Sequence, residues 1–358
     1  MKHYGWLVSP YTAKTRAYLQ FKGAEFEDIA PTAWQLYGPI RGAVGRMVMP
    51  TIRLDDGTWL QDSTVIIDTL EQRLDGASVV PSEPSVALAH RLLELHADEW
   101  LPMVMMHSRW NIPANVEFAK SEFARTGIPW LPLPISRLAT ASIARRMAGY
   151  LPLLGVTSRT RAGIEAFGRT LIARLDDHLA EHPFLLGSRP GVGDFALYGP
   201  LWAHCFRDPG STHWFDAAAH VRSWFERLQQ PRAEDGAFLD HVPTSLDAIF
   251  ATLFEEQWPY LDALFEAIDR YCEEHPDAKR VPRALGNTPF AVGGAEGNRR
   301  LLTFAAWKAQ RAIELYEGAS DPWLERVGGL RALRREVRNP QELVGFRMRL
   351  RPERPESG

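Results

Sequence analysis

Apolar and polar positions alternate at two different periods along this chain, and the switch between them divides it. An apolar run from Tyr4 to Val8 reads as a strand, and a helical pattern follows from about Pro10 to Phe21, closed by Lys22-Gly23. Glu25 to Ile29 reads as a second short strand, and Thr32 to Val44 is irregular. Met47 to Leu54 reads as a strand ending in the turn Asp55-Asp56-Gly57, with Thr58-Trp59-Leu60 as its hairpin partner. Ser63 to Leu74 has the spacing of a helix. The first 75 or so residues therefore predict a β-α-β-α-β-β-α unit.

After the linker Asp75 to Pro84, helical periodicity dominates. It predicts helices over Ser85–Trp110, 158–181, Leu246–Glu274 and Leu301–Glu317. The proline-rich stretch Ile128 to Pro134 reads as an insertion between helices. Three parts are expected: a sheet domain over 1–76, an all-helical domain over 84–242 and a helical extension over 243–358. The tail Arg351–Gly358 is expected to be disordered.

Composition adds exclusions. The 358 residues are 45% hydrophobic and 24% charged, with a formal net charge of −3, as in a soluble globular protein. Two cysteines, Cys205 and Cys272, exclude a disulfide framework and point to a reducing, cytoplasmic setting. No signal peptide and no integral membrane segment is expected, since no apolar run approaches membrane length. From Lys279 onward basic residues exceed acidic ones by about seven. No zinc-finger spacing, RNA-binding aromatic motif or phosphate loop accompanies that excess, so no nucleic-acid partner is expected and a solvated surface accounts for it. The glycines of Ala291–Gly297 do not have dinucleotide-loop spacing. His90, His96 and His107 form no i, i+4 pair, so no metal is expected. Arg109-Trp110 fits either the border of a ligand pocket or a packed tryptophan beside an arginine whose stem covers apolar surface.

Three short motifs carry candidate chemistry. Ser9-Pro10-Tyr11-Thr12 places a hydroxyl at a helix start, where serine accepts from orphan N–H groups and proline loses no bond. Met49-Pro50 puts a proline inside a strand pattern, which marks an edge or a bend. Asp62-Ser63 supplies a carboxylate and a hydroxyl at a second helix start, which attracts anions. Each motif alone is also explained by helix capping or turn geometry.

Taken together, in this order and spacing, the three motifs resemble the N-terminal domain of serine-type glutathione transferases. Ser-Pro-Tyr-Thr is similar to the glutaredoxin Cys-Pro-Tyr-Cys with oxygen in place of sulfur. The resemblance implies a thioredoxin-like domain (α/β) followed by an all-α domain. It implies glutathione as co-substrate, Ser9 as the group that activates its thiol, and Tyr11 as the reserve donor. The Met49 backbone before a cis Pro50 would face the peptide. Ser63 would take the γ-glutamyl α-carboxylate, and Asp62 would face the α-ammonium. Arg46 is assigned to the glycine carboxylate, with a plain surface arginine as the alternative. The resemblance further implies a homodimer, attack of the activated thiol on an apolar electrophilic co-substrate with transfer of its alkyl or aryl group to glutathione, and no metal. It continues more weakly through Phe184–Ala196, where the family pattern F-L-x-G-x-x-P-[ST]-x-A-D meets Gly191 and Gly193 in place of the hydroxyl residue and the alanine. A non-catalytic ligand carrier and a metaxin-like assembly protein remain as other readings of the same scaffold.

Overall fold

The computed structural model describes residues 1–230, 236–316 and 322–351; the tail expected to be disordered lies, from residue 352 on, outside the described residues. Four short strands form the first sheet: β1 (Lys2–Tyr4), β2 (Glu27–Ile29), β3 (Thr51–Arg53) and β4 (Trp59–Gln61), in the order β2-β1-β3-β4. β2 runs parallel to β1, and β3 and β4 are antiparallel additions. Helix α1 (Pro10–Phe21) makes the parallel crossover, and α2 (Ser63–Glu71) follows β4.

The strands are shorter than their apolar runs. Trp6 and Val8 are buried and Leu7 is exposed, yet this segment is a tight turn in which Ser9 N–H donates to the Trp6 carbonyl at 2.9 Å. Pro50 has no N–H to give a ladder, so pairing starts at Thr51 and not at Met47.

The helical domain begins with α3 (Pro84–Leu95) and α4 (Pro102–Asn111). One long helix was expected over Ser85–Trp110. Instead a wide π turn, His96–Trp100, joins the two, with Leu101 N–H reaching back to the His96 carbonyl at 3.0 Å. The insertion is a helical hairpin, α5 (Pro113–Gly127) and α6 (Leu133–Ala148). Then come α7 (Arg161–Leu179), α8 (Val192–Pro200) and α9 (Ala219–Leu228).

At the start of α8 the departure from the family pattern has a packing cause. Asp194 accepts from Gly191 N–H (3.0 Å), Leu185 N–H (3.0 Å) and the Trp224 indole (3.0 Å), so the acidic half of the cap is intact. The fully buried His90 ring fills the place of the missing side chains. A Cβ on Gly191 would lie 2.3 Å from His90 Nε2, and one on Gly193 would lie 2.9 Å from His90 Nδ1. Burial pushes the His90 imidazole down to about 3, so it is neutral here, and its Nδ1 accepts from Gly193 N–H at 3.3 Å.

The extension is helical where expected, in α10 (Trp258–Glu274) and α11 (Phe304–Leu315), and also carries two β-hairpins. β5 (Ala284–Val292) pairs with β6 (Ala295–Leu302) through a two-residue turn, Gly293-Gly294, with φ of 53° and 79°. Left-handed backbone at both turn positions is what an antiparallel pair needs and what glycine allows. The second hairpin is β7 (Gln341–Val344) with β8 (Arg347–Leu350). The extension is anchored to the helical domain by Arg299, whose guanidinium lies 4.7 Å from the centroids of both Trp100 and Tyr260.

Restoring the family residue at position 191 should be harmful. Gly191→Ser is expected to cost about 1–3 kcal/mol by overpacking against His90, and His90→Ala in the same chain should recover part of that loss. Urea unfolding of the two variants checks this; a stabilised Gly191→Ser single variant would contradict it.

Candidate active site

The register of the first sheet gathers the three motifs. Tyr4 pairs with Thr51 and Thr51 with Gln61, so the turn after β1, the Met49-Pro50 bond before β3 and Asp62-Ser63 after β4 meet at one end of the sheet. The Met49–Pro50 peptide bond is cis.

Ser9 is the N-cap of α1. Its half-buried Oγ accepts from Thr12 N–H at 3.3 Å, and its own proton has no acceptor among the described residues. Tyr11 differs: its hydroxyl donates to the Asp98 carbonyl at 3.2 Å, and burial with the nearby carboxylates of Asp98, Glu99 and Asp62 holds it well above the usual phenol range.

Arg109 locks the turn that presents Ser9. It is fully buried and does not reach the surface, while Trp110 beside it is packed as expected, against Phe123. Its Nη1 donates to the Val8 carbonyl at 2.6 Å and to His204 Nε2 at 2.7 Å, while Nε and Nη2 each meet an Asp208 carboxylate oxygen at 2.7 Å. Burial, and Arg109 itself, hold the His204 imidazole well below its usual range. The neutral ring accepts through Nε2 and donates through Nδ1 to the Met105 carbonyl at 3.0 Å. The turn before Ser9 is thereby tied to the helical domain.

Asp62 has φ of 72° and caps α2: its Oδ1 accepts from Thr64 N–H at 3.0 Å and from Val65 N–H at 3.2 Å. Ser63, buried, is the first residue of that helix.

Beneath this cap lies a polar cluster that the motifs do not disclose. Lys14 Nζ contacts Glu94 Oε1 at 2.8 Å, Asp98 Oδ2 at 2.7 Å and Thr64 Oγ1 at 3.4 Å. Thr64 Oγ1 donates to Glu94 Oε1 at 2.6 Å. Arg91 joins Glu94 Oε2 (2.7 Å) to Asp68 (2.8 Å). The extension completes the cluster from α11: Lys308 Nζ contacts Asp98 Oδ2 at 2.8 Å and also Thr64 Oγ1, and Arg311 pairs with Asp68. Burial works against the charge of Glu94, but Lys14, Arg91, Lys308 and Arg311 together hold its carboxyl well below the usual range. Beside them on the π turn, burial pushes the Glu99 carboxyl up to about 8 against the pull of Lys308, and Asp98 and Asp62 reinforce the rise.

Arg46, assigned above to a ligand carboxylate, donates through Nη2 to the Phe346 carbonyl of the second hairpin at 2.6 Å. Among the described residues no group of three or more His, Cys, Asp or Glu is arranged to hold a metal. No helix among them is long and apolar enough to cross a membrane.

Of the sequence candidates, the structure brings Ser9, Tyr11, Met49, Pro50, Asp62 and Ser63 to one end of the sheet. Lys14, Thr64, Glu94, Asp98 and Lys308 were missed. A signal existed for Lys14: it shares a helix face with Pro10, Ala17 and Tyr18, so a cation sits on the apolar stripe and needs a partner.

A four-stranded mixed sheet with a helix-capping hydroxyl after its first strand, followed by a helical domain, defines a thioredoxin-like domain joined to an all-helical one. Family models described as the N-terminal and the C-terminal domain of glutathione S-transferase match residues 4–78 and 160–227. Those two stretches identify a glutathione S-transferase domain pair within the chain. It is 29% identical over 203 residues to the isoprene-epoxide–glutathione S-transferase of Rhodococcus sp. (strain AD45), covering 54% of this chain and 79% of the relative. Among solved structures, the beta-etherase LigF from Sphingobium sp. strain SYK-6 has a TM-score of 0.44 at 19% identity, covering 63% of this chain and 93% of the other. A glutathione S-transferase from Methylobacterium radiotolerans in complex with glutathione sulfonate has a TM-score of 0.41 at 21% identity, covering 65% and 95%.

Removing the Arg109 guanidinium should leave Asp208 charged, buried and alone. Arg109→Met is expected to cost about 3–5 kcal/mol, and Arg109→Met with Asp208→Leu should recover part of it. Denaturant titration of the two variants checks this; equal losses in both would show that the pair is not the cause.

Proposed function

We propose that the protein binds glutathione with its γ-glutamyl end at Asp62-Ser63 and its thiol at Ser9, and transfers the sulfur to an apolar electrophile. One observation carries the reading: the Ser9 hydroxyl sits at the start of a 12-residue helix, fixed by the Thr12 N–H, with its proton uncommitted. A thiolate, not a thiol, is the nucleophile. A hydrogen bond to a charged sulfur contributes about 1.5–3 kcal/mol, and the helix dipole up to about 1 kcal/mol. At about 1.4 kcal/mol per pH unit, these lower the thiol pKa by roughly one to three units.

The thiolate attacks an electrophilic carbon, the new C–S bond forms, and the displaced or ring-opened group takes a proton. Holding the two reactants side by side supplies further rate by orientation. Position 9 has no sulfur, so no mixed disulfide forms there, which favours conjugation, isomerisation or ether cleavage over thiol–disulfide reduction. The Rhodococcus relative is named for glutathione transfer to isoprene epoxide, and a small epoxide is the first electrophile to try on this chain. Tyr11 is the weaker candidate donor, since its proton is already given to the Asp98 carbonyl.

Ser9→Ala should raise the pKa of the bound glutathione thiol by at least one unit and lower conjugation near neutral pH about tenfold or more, with glutathione affinity little changed. Thiolate absorbance titrated in both proteins, with melting curves alongside, checks this. A lower melting point with an unchanged thiol pKa would leave Ser9 as a cap alone.

A further inference from the structure

We infer that the C-terminal extension completes the glutathione site, with Lys308 of α11 binding the α-carboxylate of the γ-glutamyl group beside Ser63. The inference rests on the glutathione reading above and names a residue outside both matched domains.

The cap at α2 creates a need for this cation. Asp62 Oδ1 already occupies Thr64 N–H and Val65 N–H. The helix start therefore offers an incoming carboxylate only the N–H and hydroxyl of Ser63, neither of which has a partner among the described residues. A carboxylate held in a largely buried place needs more donors or a compensating charge.

Lys308 has both. Its ammonium makes hydrogen bonds to Asp98 Oδ2 and Thr64 Oγ1, and its third N–H has no acceptor among the described residues. Lys14, by contrast, uses all three of its donors inside the cluster. The partner Thr64 is the residue after Ser63, so Lys308 stands directly under the proposed subsite.

The charge balance points the same way. Within the hydrogen-bonded cluster, the four cations Lys14, Arg91, Lys308 and Arg311 meet the three carboxylates Asp68, Glu94 and Asp98. Lys308 thus supplies one positive charge beyond neutrality, next to Asp62, whose field favours its charged form. Asp62 Oδ2, which receives no hydrogen bond among the described residues, is left for the α-ammonium. A zwitterionic head then meets a matching pair, Lys308 for the carboxylate and Asp62 for the ammonium.

The test uses the full chain and two peptides: glutathione, and 4-aminobutanoyl-Cys-Gly, which lacks only the α-carboxylate. Calorimetry on Lys308→Gln should show glutathione binding weakened at least tenfold and analogue binding changed less than twofold. Equal weakening of both peptides would make Lys308 merely structural, and no change in either would remove it from the site; both overturn the inference. Failure of the unaltered protein to bind glutathione would sink the glutathione reading itself. Should Lys308→Gln not fold, hydrogen exchange on the unaltered protein decides. Exchange over Phe304–Leu315 should slow with glutathione and not with the analogue. Equal slowing by both, or by neither, overturns the inference.

Discussion

Lys14 is buried on the inner face of α1 and survives there because two carboxylates of the helical domain, Glu94 and Asp98, face it at 2.8 and 2.7 Å. An ammonium buried without such partners would cost several kcal/mol or lose its proton. Once Lys14 is fixed, Asp98 must sit over the start of α1, and Thr64, bonded to the same carboxylates, must sit at the start of α2. The two helix N-termini that receive glutathione in the proposed reaction are therefore held at a set separation by one cluster. Lys308 and Arg311 close that cluster from the extension, which makes residues beyond the matched domains part of its ionic balance.

Arg109 fixes the other side of the same site. Its bond to the Val8 carbonyl holds the turn before Ser9, while Asp208 and neutral His204 hold the guanidinium. Ser9 is thus positioned by the helical domain as much as by its own helix. The π turn His96–Trp100 between α3 and α4 meets α1 twice: it places the Asp98 carboxylate in the lysine cluster and the Asp98 carbonyl against Tyr11.

The parts of the site legible in the sequence are those set by local backbone chemistry. Ser9-Pro10, Met49-Pro50 and Asp62-Ser63 each announce a turn or cap through their own residue types. The lysine cluster is different in kind. Its members come from α1, α2, α3, the π turn and α11, and no local pattern ties them. The β5–β6 hairpin was readable from Gly293-Gly294, but Pro289 and Asn287 interrupt its strand pattern and hide it. The glycines at 191 and 193 look like a weakened cap in sequence and become intelligible only with His90 in place, from a helix far earlier in the chain.

The sheet domain, the helical domain and the extension share one buried ionic cluster and should unfold together. Hydrogen exchange measured along a urea titration, reading amides of α1, α3 and α11 in the same samples, tests it most directly. One common midpoint is expected for all three helices. A midpoint for α11 well below the other two, with α1 and α3 still protected, would contradict it and make the extension an appendage.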